Sequence, residues 1–157
     1  MIDLINFFAY GEMMNEEYFK SQGLEYVDKL SVTLSAWRLV FNKIPVDNGG
    51  IEGLGHSNVE PTPNNAEMMI GVMYEMEEKF LPRLDEIHGY PHEYTRKTMQ
   101  FNRHDFTQTK GIVYVAKLER TQRGLKPSKA MLKIMRAAKR DMTMLYFSRL
   151  MNTPTID

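Results

Sequence analysis

The sequence predicts an α+β domain in which a curved mixed sheet or small barrel is flanked by helices. Apolar segments of strand length recur from the N-terminus to about residue 118, whereas helical patterns are few. The two kinds of segment do not alternate in a regular β-α-β order, as they would in an α/β fold. The 157 residues, 43% of them hydrophobic, are enough for one compact core. Because no linker or repeat is visible, we assign residues 1–157 to a single domain.

The N-terminal third predicts a strand, a short helix, extended chain and a loop. Residues 2–9 are apolar and rich in β-branched and aromatic side chains, which is typical of a buried strand. Asn15 can cap a short helix that ends at Gly23. Residues 24–41 alternate in part between apolar and polar side chains, which predicts extended structure. Residues 42–55 contain four glycines and a proline, which predict a loop.

The central segments predict two strands and one helix. Residues 56–59 are expected to form a short strand, and the turn residues at 61–65 follow it. Residues 68–76 predict a buried strand with an internal glycine, where a backbone or a ligand can approach closely. Residues 77–88 predict a helix with one apolar face. Pro82 is tolerated only in the first turn of that helix.

The C-terminal part predicts a β-hairpin and a long helical tract. Residues 94–101 and 111–118 are expected to be the hairpin strands, and Pro127 with Ser128 opens the helical tract. The apolar stripe of this tract consists of Met131, Ile134, Met135, Ala138, Met142 and Leu145. Its basic stripe consists of Lys126, Lys129, Lys133, Arg136 and Arg140.

The charges are distributed unevenly, although the formal net charge is zero. Residues 110–149 carry eleven basic and two acidic side chains, a local charge of +9, and residues 1–109 carry nine basic and seventeen acidic side chains, a local charge of −8. Such a division can mark a surface for phosphates or acidic partners. It can also mark a tail that packs on its own acidic body, and we favour this second interpretation.

The composition also indicates the cellular compartment in which the protein is expected. The sequence contains no cysteine, which excludes disulfides and thiolate metal sites and fits a reducing compartment. No apolar stretch approaches the roughly 18 residues of a membrane-spanning helix, and the N-terminus does not resemble a signal peptide. We therefore expect a cytoplasmic protein with no membrane association.

Two stretches resemble the γ-glutamylcyclotransferase-like proteins. The first is FAYG at residues 8–11, and the second is LDEIHGYP at residues 84–91, followed by YTR at residues 94–96. Further stretches that resemble the family, in the same order, are residues 36–42, 55–61, 70–76 and 124–128. The resemblance covers nearly the whole chain. It implies a six-stranded, barrel-like α+β fold with a single cavity at one end, in which a small-molecule ligand binds.

The resemblance also implies a reaction. In the family, the free α-amine of a γ-glutamyl compound attacks its own side-chain carbonyl, which produces 5-oxoproline and a released amine. Backbone N–H groups of the Tyr-Gly loop hold substrate oxygens, since such concave groups of donors suit anions. A glutamate moves the proton from the α-ammonium to the leaving amine. Neither a metal nor an organic cofactor is needed.

Four residues of this chain depart from the family pattern in ways that bear on this reaction, and one of them is Met131, which stands where the family usually has Tyr. His88 stands where the family has its catalytic glutamate, and Glu12 and Met13 stand where the family has Ser and Asn. The candidate catalytic residues are therefore His88 and Glu12. The candidate substrate-binding residues are Tyr10, Gly11, Met13 and Tyr94. We expect this loop and the His88 side chain to face one cavity, with Tyr94 on its wall.

Each of the two candidate catalytic residues has an alternative interpretation. A cationic His88 would be stabilised at a helix C-terminus by the macrodipole, and Glu12 could be a solvated loop residue or an anion at a helix N-terminus. As a base, imidazole is well matched to neutral pH, but it lacks the negative charge that holds an ammonium. An inward Glu12 would restore that charge and would repel the α-carboxylate of an ordinary γ-glutamyl substrate. We therefore do not expect the standard reaction.

Other classes of site are less well supported. His92 follows His88 by four residues, but Gly89 and Pro91 prevent a helical metal-binding pair. Asp85 and Glu86 are interpreted as solvated carboxylates at a helix end, and His56 and Ser57 as loop residues. The sequence thus predicts binding, cyclisation or cleavage of a γ-glutamyl-type amine or amide. The alternatives are a catalytically degenerate small-molecule-binding protein and an interaction protein that uses its basic helix. Nucleic acid is not expected, because no base-stacking motif accompanies the basic stripe.

Overall fold

The computed structural model describes residues 1–47 and 51–157. Residues 48–50 of the predicted loop lie outside the described residues. The strands are β1 (Leu4–Ala9), β2 (Asp28–Ser35), β3 (Trp37–Lys43), β4 (His56–Pro61), β5 (Met68–Glu77), β6 (Tyr94–Asn102) and β7 (Gln108–Ala116). The α-helices are α1 (Glu16–Ser21), α2 (Leu81–Ile87), α3 (Lys129–Met135) and α4 (Met144–Met151). Short 3₁₀ turns are Glu12–Met14, Pro63–Asn65, Glu78–Phe80, Leu118–Arg120 and Arg136–Asp141.

Five of these strands form a closed barrel in the order β1-β5-β2-β6-β7. Neighbouring strands are antiparallel except at the closure, where Phe7 of β1 pairs in parallel with Ile112 of β7. The remaining strands, β3 and β4, pair with each other in a separate two-stranded sheet. The predicted α+β class, with a mixed barrel-like sheet and flanking helices, is confirmed.

The strand arrangement corrects two expectations. The barrel has five strands rather than six, because the chain leaves it after β2. Ala36 has a φ of 69°, a left-handed conformation that breaks the predicted extended segment 24–41 into β2 and β3. The predicted loop 42–55 also begins later than expected, because Lys43 still pairs with His56 of β4.

The core lies on both faces of the barrel strands. Along β1, Phe7 and Ala9 belong to one buried cluster and Phe8 belongs to another, as the alternation of side chains in a strand requires. The first cluster includes helical residues such as Phe19 of α1 and Leu132 of α3. The second cluster consists mostly of strand residues. The prediction that residues 2–9 contain a buried strand is confirmed for β1.

The predicted long C-terminal helix is instead three short elements. Helix α3 continues into the 3₁₀ turn, where Ala138 departs from helical geometry with φ −89° and ψ 16°. Helix α4 then begins anew with Thr143 as its cap. This break changes the face that each side chain presents: Met131 and Met135 are buried, but Leu145 retains 63% of its exposure. None of the helices in the described ranges is long and apolar enough to cross a membrane.

Candidate functional site

All six candidate site residues line one cavity of about 360 Å³. They are Tyr10, Gly11, Glu12, Met13, His88 and Tyr94. The segment between β1 and α1 supplies the first four, the C-terminus of α2 supplies His88, and the start of β6 supplies Tyr94. The expected convergence on one cavity is therefore confirmed. The catalytic and substrate-binding roles of these residues stay predictions.

The loop at residues 10–13 is held rigidly by its neighbours. A Cβ atom at Gly11 would lie 2.4 Å from Ser57 Oγ, so a larger residue at this position would displace the Ser57 side chain. The Tyr74 hydroxyl donates a hydrogen bond to the Met13 carbonyl oxygen at 2.7 Å. The Asn15 side chain caps α1 and also donates to the Ile134 carbonyl oxygen at 2.9 Å. The loop is thus clamped between the barrel and α3.

The His88 ring is fixed by one hydrogen bond and by aromatic contacts. Its Nδ1 lies 2.8 Å from the Leu84 carbonyl oxygen, and since a carbonyl only accepts, Nδ1 carries the proton and Nε2 keeps a free lone pair. The ring stacks on Tyr114 with centroids 3.8 Å apart and an interplanar angle of 2°. Phe7 and Tyr94 approach it edge-on at 5.8 and 5.7 Å.

The protonation of His88 follows from these surroundings. Burial lowers the pKa of His88 to about 4, although the hydrogen bond to Leu84 and the charge of Asp85 oppose this shift. The ring is therefore neutral at pH 7. This lowered pKa argues against a cationic imidazole that is stabilised by the helix macrodipole.

Tyr114, which stacks on the His88 ring, also belongs to a group of hydrogen-bonded residues. The Tyr114 hydroxyl donates to Asp85 Oδ1 at 2.7 Å, and the other Asp85 oxygen pairs with Arg96. The Tyr10 hydroxyl donates to the Tyr114 carbonyl oxygen at 2.7 Å. The interpretation of Asp85 as a solvated carboxylate is wrong, because this residue ties α2 to β6 and β7.

Glu12 is a partly buried carboxylate on the cavity wall. Burial raises the pKa of Glu12, and among the described residues its side chain has no hydrogen bond or ion pair. Glu12 does not lie at the N-terminus of α1, because Asn15 caps that helix and the acidic residues of its first turn are Glu16 and Glu17. It is instead the acidic residue in the first turn of the preceding 3₁₀ segment, so the interpretation as an N-terminal anion applies to that short segment alone.

Four further polar residues that the sequence did not single out as site residues also line the cavity. They are Tyr18, His56, Ser57 and Arg83. Burial, followed by the charge of Lys43, lowers the pKa of His56. The Tyr94 hydroxyl donates to the Ser57 carbonyl oxygen at 2.7 Å, which joins β4 to β6 at this wall. The interpretation of His56 and Ser57 as loop residues is wrong, because both lie in β4, where the sequence also predicted a short strand.

Three charged side chains next to this wall are joined by ion pairs: Lys43, Glu93 and Arg120. The Lys43 side chain is only 2% exposed, and its Nζ lies 2.8 Å from Glu93 Oε1. Arg120 Nε reaches the same oxygen at 2.8 Å. Lys43 Nζ also lies 5.4 Å from the centroid of the Tyr94 ring. The position of Tyr94 therefore depends on this group.

The described residues contain no group of three or more His, Asp or Glu side chains that could hold a metal ion. The expectation that the protein needs no metal or organic cofactor stays a prediction.

The five basic-stripe residues are all exposed. Among the described residues, none of them forms an ion pair with an acidic side chain. The interpretation of a basic tail paired with an acidic body is therefore not supported for this stripe. A solvated surface describes it better.

We expect only weak, nonspecific binding of nucleic acid by this stripe, with dissociation constants in the usual range of about 10⁻⁴ to 10⁻⁶ M. The reason is that no base-stacking residues accompany the cations. Anisotropy titrations with DNA and RNA at about 50 and 200 mM salt would measure this for the wild type and for the combined Lys126→Glu, Lys129→Glu and Lys133→Glu variant. Tight wild-type binding that salt and these substitutions abolish would instead support the interaction-protein hypothesis.

Comparison with known proteins gives a match to one protein family. The family model for "Gamma-glutamyl cyclotransferase, AIG2-like" matches residues 7–131. No curated protein sequence matches the chain.

Several solved structures share the fold. A structure described as "Gamma-glutamyl cyclotransferase" has a TM-score of 0.82 at 18% identity, covering 99% of this chain and 90% of that one. The human uncharacterised protein loc79017 has a TM-score of 0.82 at 17% identity, covering 98% and 90%. A yeast γ-glutamyl cyclotransferase specific to glutathione has a TM-score of 0.61 at 10% identity, covering 94% of both chains. At these identities the similarity establishes the fold alone.

Proposed function

The chain belongs to the gamma-glutamyl cyclotransferase, AIG2-like family, and we propose that its cavity binds a γ-glutamyl-type amine or amide. The observation that carries this proposal is the convergence of the loop at residues 10–13, His88 and Tyr94 on one cavity. The cavity volume of about 360 Å³ lies at the lower end of the range for small-molecule sites.

His88 is the acid/base group of the proposed site. Its pKa of about 4 gives it nearly the proton affinity of an ordinary glutamate. What the histidine lacks is the negative charge of a glutamate, because its base form is neutral. Glu12 supplies a carboxylate on the same cavity. His88 thus supplies a proton acceptor and Glu12 supplies a negative charge. A single glutamate would provide both.

If the bound ligand reacts, the proton balance follows from these groups. The ligand ammonium loses a proton to Nε2 of His88, and the free amine then attacks the amide carbonyl carbon. A C–N bond forms within the new ring, the ring nitrogen gives up a second proton, the original amide C–N bond breaks, and both protons leave on the departing amine as its ammonium. In the catalytically degenerate alternative, the same cavity binds the ligand without these steps.

Binding can be tested by NMR titration with a γ-glutamyl-alkylamide. We expect chemical-shift changes at Gly11, Glu12 and the His88 ring, and no changes at the hairpin tip at residues 103–107. His88→Phe keeps an aromatic ring for stacking but removes both nitrogens, so it should weaken binding, whereas His92→Phe at the exposed turn should not. The absence of ligand-induced shifts at this cavity would refute the proposal.

The neutral state of His88 predicts a pH dependence of stability. The unfolded chain takes up a proton on this histidine near pH 6.5, whereas the folded protein does so only near pH 4. Stability should therefore fall as the pH decreases between these values, by about 1–2 kcal/mol from pH 7 to pH 5. Urea unfolding at both pH values should show that His88→Phe removes this part of the loss. His92→Phe is the matched control, and an equal pH response in all three proteins would contradict the assignment.

A further inference from the structure

The cavity holds a carboxylate whose surroundings do not stabilise its charge. Glu12 is largely desolvated, and burial is the cause of its raised pKa. No described residue pairs with it or donates a hydrogen bond to it. A carboxylate in such a place is costly unless a cation accompanies it. No described residue supplies that cation through an ion pair, so a cationic ligand would be attracted to this carboxylate.

The side chains near Glu12 are aromatic rather than basic. Phe7, Tyr10, Tyr18 and Tyr94 line the same cavity, and burial, followed by the charge of Glu12, raises the pKa values of both Tyr18 and Tyr94. The hydroxyl groups of Tyr10 and Tyr94 already donate to carbonyl oxygens. The hydroxyl protons of both tyrosines are therefore used within the protein, and the centroid of the Tyr94 ring also lies 5.4 Å from Lys43 Nζ. Aromatic rings combined with a carboxylate form the type of site that binds organic ammonium ions.

The other ionisable groups of the cavity do not neutralise Glu12. His88 and His56 have lowered pKa values, so both rings are neutral at pH 7. Arg83 is the one permanent cation among the described cavity residues. Its guanidinium is already bound to the Gln22 carbonyl oxygen, at 2.8 Å, and to Glu86.

We propose that Glu12 and the tyrosines around it form an ammonium subsite that selects amines with no carboxylate on the ammonium-bearing carbon. The inference rests on the proposed function and narrows its ligand class from γ-glutamyl amides to 4-aminobutanamide-type amides. A γ-glutamyl ligand carries its α-carboxylate beside the ammonium. At this subsite that carboxylate would lie close to Glu12, and two like charges at short distance in a partly buried site repel each other.

Three small amides distinguish a site that excludes the α-carboxylate of the ligand from a site that accepts it. L-Glutamine is the simplest γ-glutamyl amide, 4-aminobutanamide is the same molecule without the α-carboxylate, and butanamide lacks the ammonium as well. Calorimetric titration of the wild type should show that 4-aminobutanamide binds at least about tenfold more tightly than either of the other two. This ratio corresponds to one charge-assisted interaction.

Glu12→Gln is the decisive variant, because it keeps the shape of the side chain and removes its charge. It should lower the affinity for 4-aminobutanamide about tenfold and reduce the preference over L-glutamine. Thermal unfolding checks that the variant folds, and removal of a desolvated charge should raise its midpoint. Glu17→Gln, at an exposed position on α1, is the matched control and should behave like the wild type.

The outcomes distinguish this inference from the proposed function. If L-glutamine and γ-glutamyl-alkylamides bind at least as tightly as 4-aminobutanamide, the ammonium subsite is wrong and the proposed function stands. If only 4-aminobutanamide binds and Glu12→Gln abolishes that binding, the subsite is supported and the ligand class of the proposed function narrows to 4-aminobutanamide-type amides. If none of the compounds binds at this cavity, both are overturned.

Discussion

Glu93→Gln should lower the free energy of unfolding by about 2–3 kcal/mol. Removal of one partner from a buried ion pair commonly costs about 3–5 kcal/mol, and we expect less here because Glu93 keeps 18% of its exposure. The cost arises at Lys43, whose pKa is lowered by burial and partly restored by Glu93. Without that carboxylate, the Lys43 ammonium stays buried beside the like charge of Arg120. Chemical denaturation would measure the loss.

Two comparisons isolate the buried pair as the cause. Glu119→Gln removes an exposed carboxylate, 3.9 Å from Lys117, and should change stability by no more than about 0.5 kcal/mol. The double variant Lys43→Met with Glu93→Leu removes both charges and should recover most of the lost stability. If Glu93→Gln is as neutral as Glu119→Gln, the group does not support the Tyr94 wall.

Much of the fold could be predicted because its signals are local. Residues 2–9 show the apolar composition of a buried strand, and the position of Pro82 places the helix start within one turn. The sequence contains no comparable local signal for the breaks at Ala36 and Ala138, which were not predicted. Alanine does not favour a positive φ, so the left-handed Ala36 depends on tertiary contacts. Likewise, nothing local distinguishes the chain at Ala138 from a continuing helix.

Part of the candidate site could likewise be predicted from the sequence, and part of it could not. Family motifs brought Tyr10, Gly11, His88 and Tyr94 to one cavity, and the structure confirms that placement. His56 could not be found, because its place depends on cross-strand pairing with Lys43. The sequence also could not show that the Glu12 carboxylate is unpaired, because this is recognised only when all the neighbours of the side chain are known.

We expect the wild-type protein to release negligible 5-oxoproline from γ-glutamyl amino acids or glutathione. An acid/base group commonly contributes about 10²- to 10⁴-fold to a rate, and the substitution at His88 alters this group. The neutral base form of His88 does not hold an ammonium, and Glu12 repels the α-carboxylate of these substrates. Chromatographic measurement of 5-oxoproline over time would give the rate, with His92→Glu as a variant that adds a carboxylate outside the site.

The stepwise variants test which of these residues blocks the reaction. His88→Glu alone should not restore turnover, because Glu12 and Met13 still occupy the loop that holds substrate oxygens in the family. His88→Glu combined with Glu12→Ser and Met13→Asn should raise the rate by about 10²-fold or more. Rapid turnover by the wild type would refute this expectation and would identify His88, or a carboxylate beside it, as a sufficient base. Restoration by His88→Glu alone would show that Glu12 does not repel the substrate, and it would also argue against the ammonium subsite.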